Sequence, residues 1–273
     1  MNAVALVRNA PTNLARWCHD LLRPPTVPVP PMGIGSYAAV FVTLIAVVAS
    51  MLLLDAAAST WARGLPQWFV AAFEYITDLG LSGWFLFPIG FALLCLAAMT
   101  SPIWSPMTQD VLAMLTARVG FMFLAIGLPG LFVAIVKRLI GRARPYVGPQ
   151  DNPFAYIPFV WKPAYASMPS GHSTTAVAAA VAIGAVWPAA RGMMWIYALL
   201  IMFSRVVVLE HHPSDVLAGA LVGAVGADLV RRWFAARHLL FSASDLRILP
   251  GPSWRRIRAA LGEITGNKTS QKS

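Results

Sequence analysis

Apolar residues fall into six runs, each close to the roughly 20 residues a helix needs to cross the hydrocarbon core of a bilayer. They cover 36–57, 81–100, 111–136, 172–190, 192–210 and 214–234. Between the first two, residues 61–80 mix apolar positions with Arg63, Gln67, Glu74 and Asp78. That pattern predicts an amphipathic helix lying in the interface. The fold class expected is therefore all-α: a polytopic six-transmembrane-helix bundle with an interfacial amphipathic helix between helices 1 and 2. Around the membrane domain, 36–235, stand a Pro-rich N-terminal segment, 1–35, and a basic tail, 236–273. "RPPTVPVPP" (23–31) reads as extended polyproline-like spacer. The first apolar run is too long and starts too late for a cleavable signal, although "DAAAS" (55–59) imitates a cleavage site.

Composition agrees with the pattern. Hydrophobic residues make up 58% of the 273 and charged residues 12%, too apolar for an ordinary soluble domain. The net charge of +10 lies outside the runs, so it reads as a topology signal and not as a nucleic-acid surface. Arg8, Arg16 and Arg23 precede the first run; Arg231, Arg232, Arg237, Arg247, Arg255, Arg256, Arg258, Lys268 and Lys272 end or follow the last. Six spans put both basic termini on the cytoplasmic side, with membrane lipids as partners of the tail. Cys18 and Cys95 have no spacing that points to a disulfide or a metal site.

One loop opposes the charge rule. Residues 137–171 fall on the other side, yet carry Lys137, Arg138, Arg142, Arg144 and Lys162. An anionic ligand explains cations there. Prolines 145, 149, 153, 158, 163 and 169 deny the loop regular structure, and its aromatics suit an interfacial belt.

Three polar blocks lie at the ends of apolar runs on that same face: "KRLIGRARP" (137–145) after the third, "PSGH" (169–172) opening the fourth, and "SRVVVLEHHPSD" (204–215) ending the fifth and opening the sixth. Lys137, Arg144 and Arg205 offer cations, two of them guanidinium forks suited to phosphate oxygens. Ser170 and Gly171 open a helix whose free amides make an anion site. Pro213 favours a first helical position, which leaves His211 just before the helix and Asp215 in its first turn. A carboxylate four residues on can orient one ring nitrogen and leave the other as nucleophile. His172, on a different helix, suits a general acid. Acid, oriented nucleophile and cationic cradle make a phosphoryl-transfer site that relies on positioning and charge. A metal site is disfavoured, because Asp215 is the one carboxylate well set beside a His.

Together and in this order, K-x6-R-P, P-S-G-H and S-R-x5-H-x3-D resemble the three-part signature of the type-2 phosphatidic acid phosphatase superfamily. The resemblance implies that Lys137, Arg144 and Arg205 hold the phosphate with Ser170 and the Gly171 amide. It implies His172 as general acid, and His211 as the residue that forms a phosphohistidine, oriented by Asp215. No metal or other cofactor is implied. Bacterial membrane members of that family act on lipid phosphates at the periplasmic face of the inner membrane, which matches the topology above. Undecaprenyl diphosphate, phosphatidylglycerol phosphate, phosphatidate and lipid A phosphates all fit such a site. A lipid-to-lipid phosphotransferase would use the same residues. A vanadate haloperoxidase would too, but the spans favour a lipid substrate. A transporter would carry its charges near the bilayer midplane rather than at one face.

The remaining polar residues have blander readings. His212 is three residues from Asp215 rather than four, so His211 is the better nucleophile. Arg138 and Arg142 either attract the anion or are loop charges. Glu210 either tunes the site or pairs with a loop arginine. Arg118, inside the third run, snorkels or pairs with Asp110, and Asp228 pairs with Arg231 or Arg232. Gly219 and Gly223 form a small-residue face for helix packing.

Overall fold

A computed structural model describes residues 3–147 and 152–266; Pro149, Lys268 and Lys272 lie outside these ranges. The described elements are helical: α1 (Ala3–Leu22), α2 (Ile34–Leu53), α3 (Asp55–Arg63), α4 (Gln67–Asp78), α5 (Gly83–Met99), α6 (Pro106–Ile140), α7 (Gly171–Val186), α8 (Arg191–Val207), α9 (Pro213–Ala235) and α10 (Trp254–Thr265). Five stretches are long and apolar enough to cross a membrane: α2, Gln67–Met99, α6, Pro188–Val207 and α9. The remaining apolar run, the fourth (172–190), becomes α7, which at 16 residues is shorter.

Two boundaries differ from the pattern. The first apolar run does not continue to residue 57, because the chain breaks at Leu54 and restarts as α3. Asp55 thereby opens a helix and is fully buried. Residues 61–80 are likewise not one helix. Pro66 is the N-cap of α4, and Gly64 and Leu65 lie outside both flanking helices, as expected where Pro sets a helix start.

The described chain divides into two compact units. One comprises Pro31–Leu86 and Leu124–Val230. Here α2 presents Tyr37, Phe41, Leu44, Val48 and Leu52 outward at helical spacing, the apolar face expected of a helix in hydrocarbon. The core is α7, whose Ala176, Val177, Ala178, Ala179, Ala180 and Ala182 are buried. Small side chains let neighbouring backbones close in. A Cβ on Gly219 of α9 would collide with the Ser170 carbonyl, and one on Gly223 would lie 3.1 Å from Ala178 N. The small-residue face of α9 is thus a packing face, and it fixes the start of α9 against the start of α7.

The other unit comprises the chain through Pro30, Phe87–Phe123 and the chain from Arg231. Asn13 of α1 donates to the carbonyls of Ala97 and Thr100, both at 2.8 Å. Phe121 stacks edge-on against Phe234 and Phe241, with centroids 5.5 and 4.8 Å away. Glu263 of α10 accepts from Ser105 N and Oγ at 2.7 Å and from Thr108 Oγ1 at 2.5 Å, capping the start of α6. Arg118 does not pair with Asp110: it donates to the carbonyls of Met114 and Leu249, and Arg256 lies 3.5 Å from Asp110.

Candidate active site

All the residues expected to carry chemistry lie in the first unit, at helix ends and in the loop after α6. Lys137 is in the last turn of α6 and Arg205 in the last turn of α8. Ser170 is the N-cap of α7, with Gly171 and His172 in its first turn. Pro213 opens α9, so His211 and His212 immediately precede it and Asp215 sits in its first turn.

The described residues of the loop after α6 carry backbone pairing that its prolines do not predict. Gly141 takes φ +64, and a Cβ there would collide with the Ile157 carbonyl, so both conformation and space call for glycine. Ile157 N donates to Gly141 O at 2.8 Å and Ala143 N to Ala155 O at 2.9 Å. Arg144 N bonds Ala164 O at 2.9 Å and Ser167 N bonds Arg142 O at 3.1 Å. This pairing fixes where Arg142, Arg144 and Ser167 project.

Three cations gather around the histidines. His172 is within electrostatic reach of Arg205, His211, Lys137 and Arg144, and His211 of Arg205 and Arg144. A Cβ on Gly80 would lie 2.9 Å from His172 Cδ2, so the ring rests on bare backbone. Arg205 donates to Thr77 Oγ1 at 2.6 Å and to Glu210 Oε2 at 3.2 Å. Arg144 also pairs with Glu210. The Nε atoms of Arg144 and Arg205 are buried with no hydrogen-bond partner, and Lys137 forms no ion pair among the described residues. Buried unpaired donors are costly, and here they ask for an anion. Gly171 borders open space, with nothing within 4 Å of where its Cβ would be. Ser170 is fully buried and its Oγ serves the helix cap, accepting from Ser173 N at 3.5 Å and Ser173 Oγ at 3.1 Å.

His211 is oriented, though not by a direct bond to Asp215. Its Nδ1 is 3.8 Å from Asp215 Oδ2, beyond hydrogen-bond range. Ser167 Oγ lies beside both, 3.4 Å from that ring nitrogen and donating to Asp215 Oδ2 at 2.6 Å. Burial, opposed by Asp215, pushes His211 down to about 4. The ring is thus neutral near pH 7 with a lone pair free. His212 faces away from this role. Its backbone N–H donates to Asp215 Oδ2 at 2.9 Å, and its Nδ1 lies 3.2 Å from Ser59 Oγ.

Arg142 is neither a loop charge nor an anion collector. It is fully buried between two fully buried carboxylates, 2.6 Å from Asp215 Oδ1 and 2.7 Å from Asp55 Oδ2. It also donates to Ser214 Oγ at 2.7 Å and to the Pro153 carbonyl. Asp55 further accepts from Ser214 N at 3.0 Å, from Ser214 Oγ and from Ser50 Oγ. Burial opposes its charge, but Asp215 and Asp55 outweigh it and hold the guanidinium protonated. Arg138 belongs to the loop, donating to the Trp161 carbonyl at 2.7 Å under the Trp161 ring. Sequence reasoning missed Asp55, Ser167, Ser214 and Thr77 as parts of the site. Asp55 did carry a signal: a carboxylate ending an apolar run needs a partner. Among the described residues no cluster of three His, Cys, Asp or Glu side chains is arranged to hold a metal ion.

Comparison with known proteins shows what the chain is similar to. A family model, the PAP2 superfamily, matches residues 118–239. Lipid A 1-phosphatase of Rhizobium johnstonii is 33% identical over 205 residues, covering 75% of this chain and 83% of that protein. Undecaprenyl-diphosphatase of Sulfolobus acidocaldarius is 31% identical over 45% of this chain and 59% of that protein. The crystal structure of a transmembrane PAP2-type phosphatidylglycerolphosphate phosphatase from Bacillus subtilis aligns with TM-score 0.49 and 25% identity, covering 71% of this chain and 93% of that one.

Proposed function

The chain belongs to the PAP2 superfamily, and from that premise we propose that it is an integral membrane phosphatase that removes phosphate from a lipid through a phosphohistidine on His211. The observation that carries the reading is the cradle beside that histidine. Two guanidinium groups have buried Nε donors without partners, and a third cation, Lys137, lies within their field.

In this mechanism the phosphoryl group lies among Lys137, Arg144 and Arg205, with the amides of Gly171 and His172 facing it at the N-terminus of α7. Ser170 supports the site by capping that helix. His211 attacks phosphorus through Nε2, since Nδ1 is turned to Ser167 and Asp215. The bond to the lipid oxygen breaks as His172 gives that oxygen a proton. Asp215 stabilises the charge that forms on the His211 ring. His172 then takes a proton from water, whose oxygen attacks phosphorus and frees His211 and inorganic phosphate. Fixed cations supply the charge stabilisation on which phosphoryl transfer depends.

The charge pattern of the chain ends supports cytoplasmic termini and a periplasmic site in a bacterial inner membrane. The relatives support a lipid phosphomonoester or diphosphate as substrate, with a lipid A-type 1-phosphate the first to test. Purified protein would be assayed for phosphate release from lipid A, undecaprenyl diphosphate, phosphatidylglycerol phosphate and phosphatidate. His211→Ala should abolish release and the acid-labile phosphoprotein. Wild-type turnover by that variant would overturn the nucleophile assignment, and transfer only to an added lipid acceptor would make the protein a phosphotransferase. A C-terminal reporter found in the periplasm would overturn the topology.

A further inference from the structure

Glu210 sits where an anion is wanted. Its carboxylate pairs with Arg144 and lies 3.2 Å from Arg205 Nη2, and both contacts use Oε2. Its side chain is 30% exposed, unlike the two carboxylates sealed around Arg142. The turn that carries it does not need the carboxylate for support. The backbone N–H groups of Glu210 and His211 both bond to Arg205 O, at 3.2 and 3.1 Å, and Leu209 N bonds to Val206 O at 3.1 Å.

We propose that Glu210 is a resident anion of the phosphate cradle: an incoming phosphoryl group displaces it from Arg144 and Arg205, and it recaptures both as inorganic phosphate leaves. The inference rests on the phosphatase reading above. Its logic is a comparison of donors. One carboxylate oxygen engages both arginines yet leaves both Nε atoms unpaired, and among the described residues Lys137 has no ion-pair partner. A phosphoryl group has three oxygens and up to two charges, so it can satisfy all of these at once, and the exchange favours it. The same comparison explains a use for the carboxylate. Three cations with no internal anion would retain product phosphate, whereas a tethered carboxylate re-enters at high effective concentration and lowers the apparent affinity by the fraction of time it occupies the cradle. Its partial exposure gives it a way out toward solvent.

The test uses purified full-length protein in lipid nanodiscs, with inorganic phosphate as the probe. Binding is measured directly by equilibrium dialysis of radiolabelled phosphate, which needs no turnover, and beside it the inhibition constant of phosphate in the lipid-phosphatase assay. Glu210→Gln should tighten phosphate binding and inhibition by about tenfold, the factor for a carboxylate that occupies the cradle roughly nine-tenths of the time. Glu210→Asp, charged but too short to reach both guanidinium groups, should fall between the two. Unchanged or weaker phosphate binding by the Gln variant would overturn the proposal and make Glu210 a group that positions the arginines. If the wild-type protein bound phosphate but released none from any lipid, the phosphatase reading would fail while the dialysis still decided the role of Glu210.

Discussion

Replacing Arg142 with Met would leave Asp55 and Asp215, both fully buried, without the cation between them. Hydrogen bonds from Ser214, Ser50, Ser167 and the His212 amide would remain, so the cost is not that of two bare ions. Removing one partner of a buried pair typically costs about 3–5 kcal/mol. At about 2–4 °C per kcal/mol for a domain of this size, the melting point should fall by roughly 6–20 °C. The pair can relax by protonating one carboxylate. If Asp215 takes the proton, it no longer stabilises charge on His211, and loss of the equivalent carboxylate in a serine-protease triad costs on the order of 10⁴ in kcat. The expected fall in kcat is therefore on the order of 10²–10⁴. Thermal unfolding in detergent and phosphate release from a lipid substrate read the two effects. Asp55→Asn added to Arg142→Met removes one of the orphaned charges and should restore part of the stability, a coupling that a double-mutant cycle isolates. An Arg142→Met protein that melts within about 2 °C of wild type and keeps its kcat would refute the view that this network holds Asp215 in place.

Two further outcomes follow from the geometry. His211 is held down to about 4 by its burial, so protonation removes its lone pair only in acid. After correction for the ionisation of the substrate, the acid-side fall in kcat/KM that reports protonation of His211 should come as pH drops through about 4; an acid midpoint near the ordinary value of about 6.5 would show an exposed, unshifted ring. Gly219→Ala places a methyl against the Ser170 carbonyl, forcing the start of α7 away from α9. Overpacking of this kind costs about 1–3 kcal/mol, and because Gly171 and His172 ride on that turn, activity should fall further than the loss of stability accounts for.

The sequence by itself determined the all-helical membrane architecture and named the candidate catalytic residues. Apolar runs near 20 residues leave helices as the economical way to satisfy backbone groups in hydrocarbon. His211, Pro213 and Asp215 lie within one helical turn, so their relation is local and legible. The same holds for Ser170, Gly171 and His172 at the head of α7, and for Gly219 and Gly223 four apart on α9. Topology alone put Lys137, His172 and Arg205 at one end of their spans. What only the tertiary structure decided involves residues far apart in the chain. Arg142 meets Asp55 across 87 positions and Asp215 across 73, and Arg205 meets Thr77 across 128. Nothing in the local spacing of Arg142, one of four basic residues within eight positions, distinguishes a buried strut from a phosphate ligand. Which cation keeps unpaired donors and which is neutralised by carboxylates depends on what packs around it. Packing, and not residue type, left Arg144 and Arg205 with buried unpaired donors and set Arg142 between two carboxylates.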